Sequence, residues 1–253
     1  MKLTVLGSSG GAPTRINPAS GYLVEAGSDT VWIDAGTGTF MPLAARIDPG
    51  QLSAVVLSHL HVDHCTDIFG LYGYLAFGPS GTVPVPVYLP EGGAEHLADF
   101  ARAGAEHVFH SVLDVVTVRP GDTVSVGGAT LTFGAAVHPV PTLVTRLTVA
   151  GVSMTYSGDT GPGSDLVELA TGSDLLLCEA SLAGGRSDAA YPYHLTATEA
   201  GNAAAAADVD RLVITHLVHT VDPPTAATEA STAFGRPVEI AVPGATFEIG
   251  ANE

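Results

Sequence analysis

Three imidazoles and one carboxylate fall within six consecutive positions of this 253-residue chain, in Ser58-His59-Leu60-His61-Val62-Asp63-His64. Imidazole and carboxylate are the ligands of zinc and of similar divalent ions. Several ionisable groups side by side are costly to desolvate unless a metal compensates them. Four such ligands this close do not readily converge on one tetrahedral ion. His59 and His61 alternate to one side, which leaves Asp63 and His64 for a second ion, so the spacing suggests two metals. The apolar run ahead of them, Ala54-Val55-Val56-Leu57, reads as a buried strand that delivers the segment.

The pattern His59-x-His61-x-Asp63-His64 resembles the signature of the metallo-β-lactamase superfamily. The resemblance requires three more ligands, and candidates stand in order: His138 in Val137-His138-Pro139, Asp159 in Tyr156-Ser157-Gly158-Asp159-Thr160, and His216 in Val213-Ile214-Thr215-His216-Leu217. Standing alone, His138 would read as a satisfied core histidine; four matches in the right order argue otherwise. The resemblance implies an α/β fold, the αββα sandwich of two mixed sheets flanked by helices, with metals at one edge between the sheets. It places His59, His61 and His138 on the first ion, Asp63, His64 and His216 on the second, and Asp159 between them, with Asp63 also counted among the catalytic groups. Zinc is the first expectation; manganese and iron suit the same ligands. Many true β-lactamases of the superfamily carry a cysteine where Asp159 stands. A carboxylate there points to hydrolases of phosphoesters, thioesters and lactones that use a metal-bridging hydroxide. The positive charge left over by Asp63 and Asp159 suits an anionic substrate.

Three further residues carry a reading. Asp34, in Val31-Trp32-Ile33-Asp34-Ala35-Gly36, follows a strand where the superfamily places an acid that orients a ligand histidine; the alternative is an Asp that caps a turn with Gly36. His194, in Tyr193-His194-Leu195-Thr196-Ala197-Thr198-Glu199-Ala200-Gly201, resembles the His-x-x-x-x-Glu-Ala segment of the tRNase Z-like branch. There the histidine acts near the leaving group, and Glu179, in Leu177-Cys178-Glu179-Ala180-Ser181, resembles the acid that partners it. The plainer alternative makes Thr196 a helix N-cap whose box Glu199 completes, which explains the helix start and leaves His194 and Glu179 unexplained. Within the branch, the chain is most similar to compact actinobacterial members that look like an atypical class II cyclic-AMP phosphodiesterase. The resemblance rests on Pro18-Ala19-Ser20-Gly21-Tyr22, His64-Cys65-Thr66-Asp67, Ser157 to Gly161, Leu177 to Ser181 and His194 to Gly201, and it departs at Leu217-Val218-His219-Thr220 and around Leu143-Val144-Thr145-Arg146. A cyclic-nucleotide phosphodiesterase is therefore the first expectation. A lactonase or thioesterase, which would not need His194, a tRNA 3′-processing endonuclease, and a non-catalytic metal-binding scaffold are the alternatives.

The elements that must position these residues alternate. Strand patterns lie at 2–6, 21–26, 30–34, 54–58, 112–118, 123–126, 129–137, 143–149, 152–156, 174–178, 211–215 and 237–242. Helical patterns lie at 40–47, 66–77, 92–104, 164–171, 196–207 and 224–234. Residues 83–89 alternate Val and Pro and suit an edge strand. Tyr72, Tyr74 and Phe77 read first as core, with a pocket wall or a homodimer contact as the alternative, and His219 is close enough to His216 to line a pocket. Proposed ligands span most of the length without a linker, so one domain, 1–253, is expected.

Net charge is −17, from one lysine, eight arginines and 26 acidic residues. A protein that holds a polynucleotide usually needs a basic face, and there is little here to build one, so a small anionic substrate is expected and a stable nucleic-acid partner is not. Only twenty residues separate His138 from Asp159, where bacterial tRNase Z carries its RNA-binding arm. Met1-Lys2-Leu3-Thr4-Val5-Leu6 runs straight into a strand, and no apolar run approaches a membrane span, so a cytoplasmic protein without a membrane partner is expected. Cys65 and Cys178 sit beside candidate site residues and do not suggest a structural disulfide.

Overall fold

A computed structural model describes residues 1–78, 83–101, 106–182 and 192–250. The first half contributes β1 (Lys2–Gly7), β2 (Gly21–Ala26), β3 (Asp29–Ile33), β4 (Ala54–Val56), β5 (Val85–Leu89) and β6 (Leu113–Thr117) to one sheet. The second half contributes β7 (Thr123–Val126), β8 (Ala129–Ala135), β9 (Leu143–Val149), β10 (Val152–Tyr156), β11 (Leu175–Glu179), β12 (Arg211–Thr215) and β13 (Glu239–Ile240) to another, and β14 (Thr246–Glu248) returns to the first. The sheet orders are β14-β1-β2-β3-β4-β5-β6 and β13-β12-β11-β10-β9-β8-β7. Both sheets are mixed: β3 to β6 and β10 to β13 run parallel, and the other neighbours antiparallel.

Each central strand is apolar on both faces, because each sheet is covered twice. Val31 and Ile33 of β3 and Leu175 and Leu177 of β11 point into the layer between the sheets, where they join Phe133, Met154 and Tyr156. Trp32 of β3 and Val55 of β4 point the other way, toward α1 (Phe40–Ala44), α2 (Val62–Cys65), α3 (Ile68–Phe77), α4 (Gly93–Ala101) and α5 (Glu106–Val112). Leu176, Cys178 and Ile214 likewise face α6 (Leu166–Ala170), α7 (Ala197–Ala206) and α8 (Pro223–Phe234). The result is the expected αββα sandwich. α7 and α8 approach closely because α7 is built of small residues; a Cβ at Gly201 would collide with the carbonyl of Ala230.

The edge-strand expectation for 83–89 does not hold. β5 lies inside the first sheet, between β4 and β6. The Tyr88 carbonyl accepts from Leu57 N on the β4 side, so Pro86, two residues back, turns its missing donor the same way. In this parallel register the carbonyl facing Pro86 N is that of Ser53, one residue before β4 begins, so no bond within the ladder is lost. The helix read at 66–77 begins as α3 at Ile68, because Asp67 is held by tertiary bonds, its amide to Ala35 O and its carboxylate from Phe40 N, and the separate turn α2 ahead of it lies outside that reading. The strand read at 129–137 stops at Ala135, and that at 237–242 shrinks to Glu239–Ile240. Residues 102–105, within the helix read at 92–104, lie outside the described residues, and α5 and β14 carry no strong pattern. Among the described residues, no helix is long and apolar enough to cross a membrane, and both cysteines are buried free thiols.

Candidate metal centre

The strand ends of both sheets meet at one edge of the sandwich. Asp34 follows β3, His59 and His61 follow β4, His138 follows β8, Asp159 follows β10, Glu179 ends β11 and His216 follows β12. The dense segment divides its ligands by a change of local structure. His59 and His61 stand on extended chain and His61 is the N-cap residue of α2, whose single turn carries Asp63 and His64 round to the other side. Asp34 and His216 both adopt left-handed backbone, each at φ 55°, a conformation that costs a non-glycine residue energy and recurs at functional sites.

Two groups of ligand atoms face each other. In the first, His61 Nδ1 lies 3.0 Å from His59 Nε2 and 3.2 Å from His138 Nε2. In the second, His216 Nε2 lies 3.2 Å from His64 Nε2 and 3.3 Å from Asp63 Oδ2. Asp159 stands between them: Oδ2 is 3.8 Å from His59 Nε2, and Oδ1 is 3.4 and 3.5 Å from His64 and His216 Nε2. The structure thus brings all seven sequence-predicted ligands together, and the triads His59–His61–His138 and Asp63–His64–His216 stand among the possible ligand groups, as does His59–His64–Asp159.

The protons decide what this cluster can hold. His138 Nδ1 faces the carbonyl of Tyr193 at 3.2 Å and must donate to it. His64 Nδ1 donates to Asp34 Oδ2 at 2.7 Å. His59 Nδ1 is 3.1 Å from Ser58 Oγ, which itself donates to Asp34 Oδ2 at 2.8 Å. With the outer nitrogens of His59 and His138 protonated, their inner ones both present lone pairs to His61 Nδ1, at 3.0 and 3.2 Å. One imidazole nitrogen has at most one proton and cannot satisfy both, whereas a cation among the three would. Asp159 Oδ1 is buried and accepts no hydrogen bond among the described residues. Burial holds His59 well below the usual histidine range and brings His138 down to about 4, which keeps both in the neutral form that binds metal. The donor set therefore fits divalent ions.

Asp34 serves His64 and not the Gly36 turn. Its carboxylate accepts from Ser58 N, Ser58 Oγ, His64 Nδ1 and Tyr156 OH, all at 2.7–2.8 Å, while Gly36 N donates to the Ser20 carbonyl. Tyr156 reaches Asp34 from the opposite sheet, so the bond ties the two sheets at the site. His194 Nδ1 lies 2.9 Å from Glu179 Oε1 and 3.9 Å from Asp159 Oδ2, and its ring stacks against His216 at 5.7 Å. Glu179 is fully buried and also accepts from Thr160 N at 2.7 Å. Burial opposes charge on His194, but the hydrogen bond and charge of Glu179 and the charge of Asp159 together outweigh it, so its pKa lies above the usual value. The Thr196–Glu199 capping box is present as well. The capping box accounts for the helix start, and the His194–Glu179 contact stands beside it in the same segment.

Two open clefts flank the centre, of about 370 and 440 Å³, and share Pro90, Glu91, Val140 and Pro141. His138 and Arg119 line the first, and His61, Leu60 and His96 the second. His219 lines a separate cleft of about 360 Å³ with Ser9, Asn17 and Leu217. Tyr72, Tyr74 and Phe77 line none of these: Tyr72 packs on Phe109, Tyr74 bonds Asp48, and Phe77 is 75% exposed. Cys65 is a small buried side chain whose thiol burial pushes up to about 12. Ser58, Tyr156, Thr160 and Ser181 are the site residues that sequence reasoning missed. Ser58 and Ser181 adjoin motif residues, which was the available signal; nothing in a β-strand pattern marks Tyr156.

Gly36 ties fold to site. A Cβ there would collide with the Asp63 carbonyl and come within 2.6 Å of the Ser20 carbonyl, both backbone atoms. Gly36→Ala is expected to cost about 1–3 kcal/mol of stability, as overpacking does. It should also weaken metal uptake by displacing Asp63, and thermal melts with and without metal measure both effects.

A beta-lactamase superfamily domain model matches residues 29–217. An uncharacterized protein of Mycobacterium leprae is 38% identical over 100% of this chain and 90% of its own length. A protein named ribonuclease Z from Kineococcus radiotolerans is 30% identical over 85% of this chain and 82% of its own. The crystal structure of the metallo-beta-lactamase fold protein YhfI from Bacillus subtilis superposes with a TM-score of 0.87 at 28% identity, covering 98% of this chain and 99% of that one.

Proposed function

The chain belongs to the beta-lactamase superfamily, and from that premise we propose that this metal-dependent hydrolase is a two-metal phosphodiesterase acting on small anionic diesters, cyclic nucleotides first among them. One observation carries the reading: a buried glutamate holds a histidine at 2.9 Å beside the ligand cluster, with that histidine's other ring nitrogen outside that hydrogen bond. A lactone or thioester does not require such a donor, whereas the alkoxide leaving a phosphodiester gains from one. The name ribonuclease Z of a relative at 30% identity supports phosphodiester chemistry.

Divalent ions on His59, His61, Asp63, His64, His138, Asp159 and His216 would polarise a phosphoryl oxygen and supply a nucleophile from water at neutral pH. The rest falls to the protein. Asp34 and Ser58 fix the ring planes of His64 and His59. Glu179 fixes His194 through Nδ1, so a proton delivered to a leaving oxygen comes from Nε2. The clefts lined by His61 and His138 accept the two ester arms, and the cation of Arg119 lies in one of them.

Elemental analysis of metal-loaded protein should find two ions per chain. A screen against cyclic nucleotides, aryl phosphodiesters, lactones, thioesters and a tRNA precursor should show diester hydrolysis that a chelator abolishes. The net charge of −17 and the twenty-residue spacing of His138 and Asp159 argue against the tRNA precursor. Its efficient cleavage at low enzyme concentration and physiological salt would overturn the small-substrate reading, and turnover of lactones alone would overturn the phosphodiesterase.

A further inference from the structure

Ser181 stands at a junction that the metal ligands and the His194–Glu179 pair do not account for. Its side chain is buried, and Oγ lies 2.7 Å from His216 Nδ1, 2.6 Å from Glu179 Oε2 and 3.0 Å from the His216 carbonyl. A hydroxyl has one proton to give. Between a carboxylate and a neutral carbonyl, the shorter, charge-assisted bond to Glu179 takes it. Ser181 Oγ then accepts from His216, which places a proton on His216 Nδ1 and leaves Nε2 bare toward His64 Nε2 and Asp63 Oδ2. Glu179 Oε1 meanwhile holds His194 Nδ1 at 2.9 Å. One buried carboxylate thus reaches two imidazoles, His194 directly and His216 through a hydroxyl. The first sheet builds the same device, where Ser58 links His59 Nδ1 to Asp34 and Asp34 also holds His64.

We infer that Ser181 is a positioning residue: by relaying His216 Nδ1 to Glu179, it fixes the tautomer and ring orientation with which His216 binds the second metal ion. The need for it is physical. His216 sits in left-handed backbone at φ 55° with a side chain only 3% exposed, and Ser181 Oγ is the partner of its outer nitrogen. Without that acceptor, the Nδ1 proton would be buried unpaired, and the tautomer that carries the proton on Nε2, which cannot bind metal, would compete. Partners of this kind typically contribute about 10- to 100-fold in metal affinity.

The inference rests on reading the cluster as a two-metal centre, and the test separates the two. Zinc is titrated into wild type, Ser181→Ala and Ser181→Thr against a chromogenic chelator. Imidazole nitrogen shifts of the zinc-loaded proteins report which His216 nitrogen carries the proton, and melts in excess chelator report the fold without metal. Wild type should bind two ions and show His216 protonated on Nδ1. Ser181→Ala should bind one ion as wild type does and the other about 10- to 100-fold more weakly, and Ser181→Thr, which keeps the hydroxyl, should recover most of the loss. Equal affinity for both ions in Ser181→Ala, with the fold intact, overturns the positioning role. So does wild-type His216 that binds zinc through Nδ1, an outcome that needs no variant to fold. Wild type that takes up no second ion refutes the two-metal reading instead.

Discussion

His194→Ala should keep its full complement of metal and hydrolyse a cyclic nucleotide about 10²–10⁴-fold more slowly, the range of general acid catalysis. His194 lies close enough to Asp159 and His138, and to Glu179 and His216, to be counted as a ligand itself. Metal retention is therefore the first thing to measure. Its Nδ1 is committed to Glu179 at 2.9 Å, and that pairing favours a proton donor over a metal ligand. The role predicts a substrate dependence. An alkoxide leaving group needs a proton, and an acidic phenol needs it far less, so hydrolysis of a bis-nitrophenyl phosphodiester should fall much less than that of the cyclic nucleotide. Glu179→Gln should reproduce part of this selective loss. Equal slowing of both substrates with metals intact would eliminate the leaving-group role, and loss of an ion would make His194 a ligand.

Asp159→Ala should fail differently, losing one ion or both and slowing every substrate together. Its two oxygens face the two halves of the cluster, Oδ2 toward His59 and Oδ1 toward His64 and His216. No other carboxylate among the described residues faces both. Buried histidines hold Asp159 well below the usual carboxylate range against the opposing effect of burial, so it is ionised and ready to bridge. Metal ions contribute several kcal/mol of transition-state stabilisation, and about 4 kcal/mol is roughly 10³-fold, so losses of at least about that size are expected on both esters. Two ions and unchanged turnover in Asp159→Ala would remove Asp159 from the centre.

His59, His61, Asp63 and His64 were legible because metal ligands cluster at spacings that ordinary cores avoid, and the order of His138, Asp159 and His216 made chance matches improbable. Asp34 was ambiguous, because an acid after a strand caps turns as readily as it orients histidines. The ambiguity ends only in the fold, where His64 Nδ1 bonds its carboxylate and Gly36 N donates to the Ser20 carbonyl instead. The helix start at Thr196 and a partner for His194 looked like competing explanations, and the fold contains both the capping box and the His194–Glu179 contact.

What the sequence by itself determined is chemistry and rhythm: the residue types of a metal-binding cluster, the acid at Asp159, the apolar runs of sheets covered on both faces, and the net charge of −17. These are local or additive properties, and local pattern carries them. Tertiary structure alone decided which strands lie inside a sheet, since Pro86 is tolerated inside the sheet because of where β4 begins. It alone decided the proton directions, since Ser58, Tyr156, Thr160 and Ser181 act on residues that are mostly distant in the chain. A hydroxyl in a sequence carries no mark of which imidazole it will meet; only the folded contact decides whether it donates or accepts.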